Sequence, residues 1–107
     1  MLDWSIEQDK HPVAIRIPCN GVISTTEDVD TDYSNLNKYQ IKISGSNIAI
    51  LALGDFFDIG EKLAKAVSEK TGVMPTLINP RYITGLDEEL LENLKKDHTT
   101  VITLEDG

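Results

Sequence analysis

The spacing of apolar residues from residue 39 onward predicts alternating strands and helices. Residues 39–43 alternate apolar and polar side chains at period two, which is typical of a half-exposed strand. Residues 48–53 are apolar at every position, as in a strand that helices cover on both faces. Further apolar strands are predicted at residues 74–78 and 101–104.

Two amphipathic helices are predicted between these strands. The first has one apolar stripe at helical spacing and a glycine stop, formed by Ile59, Leu63, Ala66, Val67 and Gly72. The second begins after Asp87, a good helix cap that precedes two glutamates at the positive end of the helix dipole. Its apolar side and basic end are formed by Leu90, Leu91, Leu94, Lys95, Lys96 and His98.

From residue 48 onward the order is β-α-β-α-β, which predicts an α/β fold, namely a partial doubly wound, Rossmann-like three-layer sandwich with a mostly parallel sheet. Strand 101–104 closes this order with no further helix to cover it and no strand at its edge. An exposed parallel edge invites association or aggregation. We therefore expect a truncated domain whose natural polypeptide continues in both directions.

The N-terminal residues follow a different pattern. Residues 1–8 predict a short amphipathic helix, and the β-branched run at 12–18 predicts a strand. Arg16 is the exception in this apolar strand, where a guanidinium needs an anionic partner or an open strand end. Residues 19–38 then shift to Gly, Ser, Thr, Asn and Asp, which predicts a linker or a long ordered loop at a domain boundary.

An acidic cluster within this linker resembles the start of a calcium-binding loop. Residues 28–32 place aspartates at alternate positions. Tyr33 and Tyr39 stand where such a loop requires its sharp-turn glycine and its bidentate glutamate. We therefore interpret the cluster as a solvated acidic loop.

Net charge, the length of apolar runs and cysteine content argue against several classes of partner and site for this 107-residue chain. The formal net charge of -8 opposes attraction to nucleic acid and to anionic membrane surfaces. The longest apolar run is far short of the roughly 20 residues that cross a bilayer. Cys19 is the only cysteine, so neither an intrachain disulfide nor a cysteine zinc cluster can form. We expect a soluble, cytoplasmic protein.

No short motif predicts catalysis by these residues. Gly54 and Gly60 flank a strand-to-helix turn, but their spacing departs from G-x-G-x-x-G. Asp55 and Asp58 would repel a pyrophosphate there, so we interpret the segment as a plain turn with acidic capping. Other reactive side chains lack a second ligand or a base at suitable spacing; these are His11, His98 and Cys19.

Four blocks in order carry a family resemblance. These are residues 11–18, 47–54, 79–83 with 86–90, and 101–106, which resemble consecutive blocks of 1-deoxy-D-xylulose-5-phosphate synthases of the transketolase family. The resemblance implies that residues 1–18 end a pyrimidine-binding domain and that residues 19–38 are an acidic interdomain linker. Residues 39–107 would then be the first part of a transketolase C-terminal domain.

The resemblance also implies a function for the whole protein. Enzymes of this family use thiamine diphosphate and magnesium to decarboxylate pyruvate and to join the two-carbon unit to D-glyceraldehyde 3-phosphate. Their cofactor motifs lie upstream, so the isolated chain is expected to be inactive. The implied partners are the remaining domains of the same polypeptide, a second copy in a homodimer and a sugar-phosphate substrate. The alternatives are a transketolase, the beta subunit of a 2-oxoacid dehydrogenase, and a stand-alone α/β interaction module.

One binding residue follows from the resemblance. Arg16 matches a family arginine that helps to hold the phosphate of the acceptor, a role that suits a guanidinium. An ordinary ion pair to a carboxylate of another domain explains Arg16 equally well. Cys19 replaces the second arginine of that pattern, which leaves the acceptor sugar open. Arg81 also matches a family arginine, and we interpret it as structural or interfacial.

Overall fold

The computed structural model describes residues 1–17 and 33–105, and the chain divides into two compact units, Met1–Leu36 and Asn37–Gly107. The first unit contains helix α1, Leu2–Glu7, as the sequence predicts. The Trp4 and Tyr33 rings meet edge to face with centroids 6.0 Å apart, a geometry that aromatic pairs favour. After α1, Gln8 Oε1 accepts hydrogen bonds from the backbone amides of Lys10 and His11.

The strand predicted at residues 12–18 is wrong over its described part. Residues 12–17 have no regular secondary structure, and all of them except Ile15 are exposed. A strand forms only where a neighbour completes its hydrogen-bond ladder, and the described sheet contains no strand that pairs with this segment. The β-branched composition therefore indicates a preference for a strand, which these residues cannot form without a partner strand.

The second unit is a four-stranded sheet between helices. Its elements, in chain order, are β1 Gln40–Ile43, β2 Asn47–Ala52, α2 Phe56–Thr71, β3 Thr76–Asn79, α3 Glu88–Leu94 and β4 His98–Leu104. The strand order is β1-β3-β2-β4, with β2 parallel to both of its neighbours and β1 antiparallel to β3. The predicted α/β three-layer fold with a mostly parallel sheet is confirmed.

The alternation of side chains along β2 and β3 builds two cores. On one face, Ile50 and Leu77 are fully buried and pack with Ala64 of α2. On the opposite face, Ala49 and Ile78 are buried with Leu94 of α3. Because successive residues of a strand point to opposite faces, a strand that is apolar at every position supplies both cores at once.

Helix α2 is fixed closely against β2. A Cβ at Gly60 would lie 2.7 Å from the Ala52 Cβ, so only glycine permits this approach. At the other end, Gly72 is the C-cap with φ 73°, which confirms the predicted stop. In the described residues, every helix is too short or too polar to span a bilayer.

Strand β4 forms the second edge of the sheet and begins three residues before the predicted start, at His98. Ile102 and Leu104 pack against the α2 core, whereas Val101 is 54% exposed. The Leu104 carbonyl accepts a hydrogen bond from the Leu53 amide, so Leu104 points its backbone groups toward β2. By alternation, the backbone groups of Val101 and Thr103 point away from β2 along the outer edge.

Candidate functional site

Arg16, the predicted phosphate-binding residue, lies in the exposed segment 11–17 of the first unit. The geometry of this segment neither supports nor contradicts a phosphate role, so that role stays a prediction. Cys19 and the acidic cluster at 28–32 lie outside the described residues.

The turn between β2 and α2 is a backbone turn without features of a phosphate site. Gly54 has φ 62°, a conformation that favours glycine, and its carbonyl accepts the Phe57 amide at 3.1 Å. Asp55 stands at the N-cap position, but its side chain makes no capping hydrogen bond, so the predicted acidic capping is wrong there. Asp58 instead pairs with Lys62 at 2.7 Å. Two carboxylates at this helix end oppose the binding of a phosphate.

A polar cluster of the second unit lies where β3 ends. The loop at residues 79–87 follows the carboxyl end of β3, and it contacts residues 37–39, which precede β1. Thr84 Oγ1 donates a hydrogen bond to Asn37 Oδ1 at 2.5 Å. A Cβ at Gly85 would lie 2.7 Å from Asn37 Nδ2, so the Asn37 side chain would have to shift if another residue replaced this glycine. The two segments are thus held together although more than forty residues of chain separate them.

Arg81 also holds this loop against the residues that precede β1. Its Nη2 donates to the Lys38 carbonyl at 2.9 Å, and its backbone amide donates to Asn79 Oδ1 at 3.1 Å. Its guanidinium carbon lies 5.5 Å from the centroid of the Tyr82 ring. Arg81 also has φ 64°, a strained conformation for a residue other than glycine, which its contacts hold in place. These contacts agree with a structural role.

Asp87 joins α3 to the residues before β1. Its Oδ1 accepts the Leu90 amide at 3.2 Å, which confirms the predicted helix cap. Its Oδ2 accepts the Tyr39 amide at 3.0 Å. The Lys38 ammonium lies 3.9 Å from Oδ1 and 3.3 Å from Glu89. Two backbone donors and a nearby cation compensate for the burial of this carboxylate, whose side chain is only 6% exposed.

A second polar network lies at the opposite end of the sheet and centres on His98. The His98 side chain is 5% exposed, with Nδ1 2.6 Å from Asp97 Oδ1 and 3.0 Å from the Leu94 carbonyl. Nε2 lies 2.7 Å from Thr76 Oγ1, which also accepts the Gly45 amide at 3.0 Å. Because both groups beside Nδ1 are acceptors, they favour the tautomer with its proton on Nδ1. Thr76 is then the donor to Nε2.

Neither network has the form of a catalytic or metal centre. Within residues 1–17 and 33–105, no three His, Cys, Asp or Glu side chains are grouped so that they could hold a metal ion. Thr76 is 2% exposed, so a substrate has no access to its hydroxyl. Both networks tie distant segments of the domain to each other.

Sequence reasoning missed the partners in both networks. A lone Thr76 at the start of an apolar strand was a usable signal, because a buried hydroxyl requires a partner. The sequence analysis interpreted His98 as part of the basic end of α3. Its contact with Thr76 depends on the pairing of β2 with β3 and β4, which local sequence does not reveal. Asn37 gave no signal, since its partner Thr84 is distant in sequence.

Comparisons with known proteins agree with this geometry. The family described as transketolase, C-terminal domain, matches residues 37–107. The chain is 32% identical over its whole length to the 1-deoxy-D-xylulose-5-phosphate synthase of Brevibacillus brevis and 35% identical to that of Clostridium botulinum. Over 90% of its length it is 36% identical to the corresponding synthase of Alkaliphilus oremlandii.

The chain therefore belongs to the transketolase C-terminal domain family, and the predicted resemblance to the synthase branch of that family is confirmed. It spans 17% of the length of the first two relatives and 15% of the third.

Proposed function

We propose that this chain is part of a thiamine-diphosphate-dependent transferase that acts as a 1-deoxy-D-xylulose-5-phosphate synthase. The observation that carries the proposal is the similarity of the whole chain, in both of its units, to enzymes of that name. The fold of residues 37–107 agrees with it. The proposed reaction decarboxylates pyruvate and transfers the two-carbon unit to D-glyceraldehyde 3-phosphate.

The described residues do not fit the cofactor. They contain no group of acidic side chains that could hold magnesium, and Asp55 and Asp58 oppose a diphosphate at the N-terminus of α2. As the family resemblance implies, we propose that the residues that bind thiamine diphosphate and magnesium lie outside this chain. The chain by itself is proposed to be inactive, and the whole enzyme is proposed to be a cytoplasmic homodimer.

Arg16 is the residue of this chain that we propose to contact substrate. A guanidinium holds a phosphate through two parallel, charge-assisted hydrogen bonds, and Arg16 is exposed in the described segment. The competing proposal is an ion pair between Arg16 and a carboxylate elsewhere in the enzyme. The two proposals differ in whether loss of the guanidinium changes the affinity for the acceptor.

The first test is the reading frame that encodes the chain. A Gly-Asp-Gly motif followed about 30 residues later by Asn, upstream of Met1, supports the thiamine-diphosphate assignment. Its absence from a complete reading frame contradicts the assignment and favours a stand-alone module.

The second test is kinetic and uses the full-length enzyme. Arg16→Ala is expected to raise KM for D-glyceraldehyde 3-phosphate by about tenfold or more, with a smaller change in KM for pyruvate, because a charge-assisted contact to phosphate is lost. Lys10→Ala, an exposed cation of the same unit, is the matched control and should change neither constant. An unchanged acceptor KM in Arg16→Ala would remove the phosphate role.

Two related functions remain as alternatives to the synthase. A transketolase would accept other sugar phosphates in the same assay, a possibility that Cys19 leaves open because it replaces a family arginine. A 2-oxoacid dehydrogenase beta subunit would instead bind a lipoyl-domain partner, which co-purification with the full-length protein would reveal.

A further inference from the structure

The loop at residues 79–87 presents two exposed aliphatic side chains, Ile83 and Leu86, which we term the aliphatic pair. Ile83 is 67% exposed and Leu86 is 65% exposed, the two highest values among the large apolar residues of the second unit that the structure describes. The two residues lie three positions apart in one short loop. Single exposed apolar residues are common on protein surfaces, whereas a pair on one loop can form a contact surface.

The backbone around the aliphatic pair is held against residues 37–39. Thr84, between the two aliphatic residues, donates a hydrogen bond to the Asn37 side chain. Asp87, directly after the pair, is buried and accepts the Tyr39 amide at 3.0 Å. The polar residues of the loop are therefore bonded within the domain, while the aliphatic residues beside them face solvent.

A tight turn fixes the loop before the pair. The Tyr82 amide donates to the Pro80 carbonyl at 2.7 Å, and Arg81 between them has φ 64°. The Arg81 guanidinium bonds to the Lys38 carbonyl. The loop is thus fixed before, between and after the aliphatic pair. A surface that is already fixed loses little conformational entropy when it meets a partner.

The aliphatic pair is too small to hold separate molecules together. A stable complex of two proteins buries about 800 Å² on each partner, from roughly 20–30 residues a side, and two side chains supply far less. Domains of one polypeptide need smaller contacts, because the covalent link gives them a high effective concentration. Two synthase relatives are longer than this chain, which spans 17% of their length. A further domain of the same polypeptide is therefore the partner that fits a pair of this size.

We infer that Ile83 and Leu86 form the apolar centre of a contact between this domain and another domain of the same polypeptide. The contact rests on the proposed function, since that function places further domains on the polypeptide. Exposed polar residues border the pair in sequence, as the polar rim of a contact does; these are Thr84, Glu88 and Glu89.

Thiol labelling of the full-length enzyme tests this contact. Ile83→Cys and Leu86→Cys are compared with Val73→Cys, a matched aliphatic position that is only 37% exposed and precedes β3, at the opposite end of that strand. Exposure within the described chain predicts the faster reaction with N-ethylmaleimide at 83 and 86. In the enzyme we expect both of these thiols to react at least about tenfold slower than the thiol at 73, because another domain covers them. Equal or faster reaction at 83 and 86 would overturn the inference.

A double variant, Ile83→Ser with Leu86→Ser, supplies the second measurement. The Tm of the full-length enzyme should fall by about 2 °C or more, because apolar area buried between domains is lost. The 107-residue chain with the same substitutions should keep its Tm within about 1 °C, since both side chains are exposed there. A fall of equal size in both proteins, or in neither, contradicts the inference. Self-association of the 107-residue chain that the double variant abolishes also contradicts it, because the partner would then be a second copy.

Synthase activity of the same full-length protein separates a failed contact from a failed function. Slow labelling at 83 and 86 in a protein without synthase activity refutes the proposed function and supports the contact. Rapid labelling at both positions in an active synthase overturns the contact alone.

Discussion

The two edges of the sheet, β1 and β4, are built in different ways. β1 is four residues long, antiparallel to its neighbour and irregular in register, and the chain around it is tied by side chains of the 79–87 loop. β4 is seven residues long and pairs in parallel with β2, and its central Val101 is 54% exposed.

The difference shows that the two edge strands differ in how readily each could pair with a further strand. Short length, a bulge and a lysine make β1 a poor template for another strand, and such features protect natural edges. β4 carries no Lys, Arg, Asp or Glu between His98 and Leu104, and the backbone groups of Val101 point outward. In the described residues, therefore, β1 is a protected edge and β4 is an open one.

The largest effect on stability is expected for a buried residue on which both edge strands depend. Leu77→Ala removes a fully buried side chain of β3 that packs with Ile50 and Ala64. The cavity should lower the free energy of unfolding by about 2–5 kcal/mol in urea titrations, and amide exchange should rise at β1 and β4 together. Ile83→Ala, at a 67% exposed position, is the control and should stay within about 0.5 kcal/mol. A rise confined to one edge contradicts this prediction.

A substitution with a smaller effect on stability should change amide exchange more at one edge strand than at the other. Asp87→Ala removes the cap of α3 and the acceptor of the Tyr39 amide, and it should cost about 1–3 kcal/mol. Amide exchange should increase at β1 and at the start of α3 more than at β4. Asp87→Asn keeps one oxygen acceptor and is expected to recover part of the loss. The prediction fails if Asn and Ala have the same effect.

Self-association should distinguish the open edge from the protected one. Val101→Lys places a charge at the centre of β4, and sedimentation velocity should show less concentration-dependent association than in the unchanged chain. Ile41→Lys is the matched control, because it adds the same charge at a similarly exposed position of β1. Monomer stability should change by no more than about 0.5 kcal/mol in either variant. Equal loss of association in both variants would remove the contrast.

The smallest effect is expected away from both edges, on α2. The hydrogen bond and the charge of Asp58 raise the pKa of the Lys62 ammonium in the folded chain. A pKa raised on folding stabilises the fold below the unfolded lysine pKa, and this stabilisation is lost as the pH rises through the folded pKa. The pair is exposed, so the contribution is small.

Thermal unfolding of Lys62→Gln beside the unchanged chain measures this contribution. The difference in Tm between the two chains should be small at neutral pH and should disappear in strongly alkaline solution. A difference that grows with alkalinity would show that the sign of the linkage is wrong.

Helix and strand identities from residue 39 onward were predictable because they depend on local periodicity. The apolar stripe of α2, the glycine stop at Gly72 and the Asp87 cap are confirmed. The strand at 12–18 failed in its described part because the same β-branched pattern requires a partner strand, which local sequence cannot supply. For Arg16, residue type and resemblance predict a phosphate-binding role, and that role stays a prediction.

The kinds of element in the second unit, the fold class and the family could be predicted from side-chain period and short sequence blocks, because both are local features of the chain. Long-range packing instead fixed the strand order β1-β3-β2-β4 and the antiparallel direction of β1. It also decided that His98 meets Thr76 and that Asn37 meets Thr84. These contacts join residues that are far apart in sequence, and they exist only because burial of the two cores brings their backbones together.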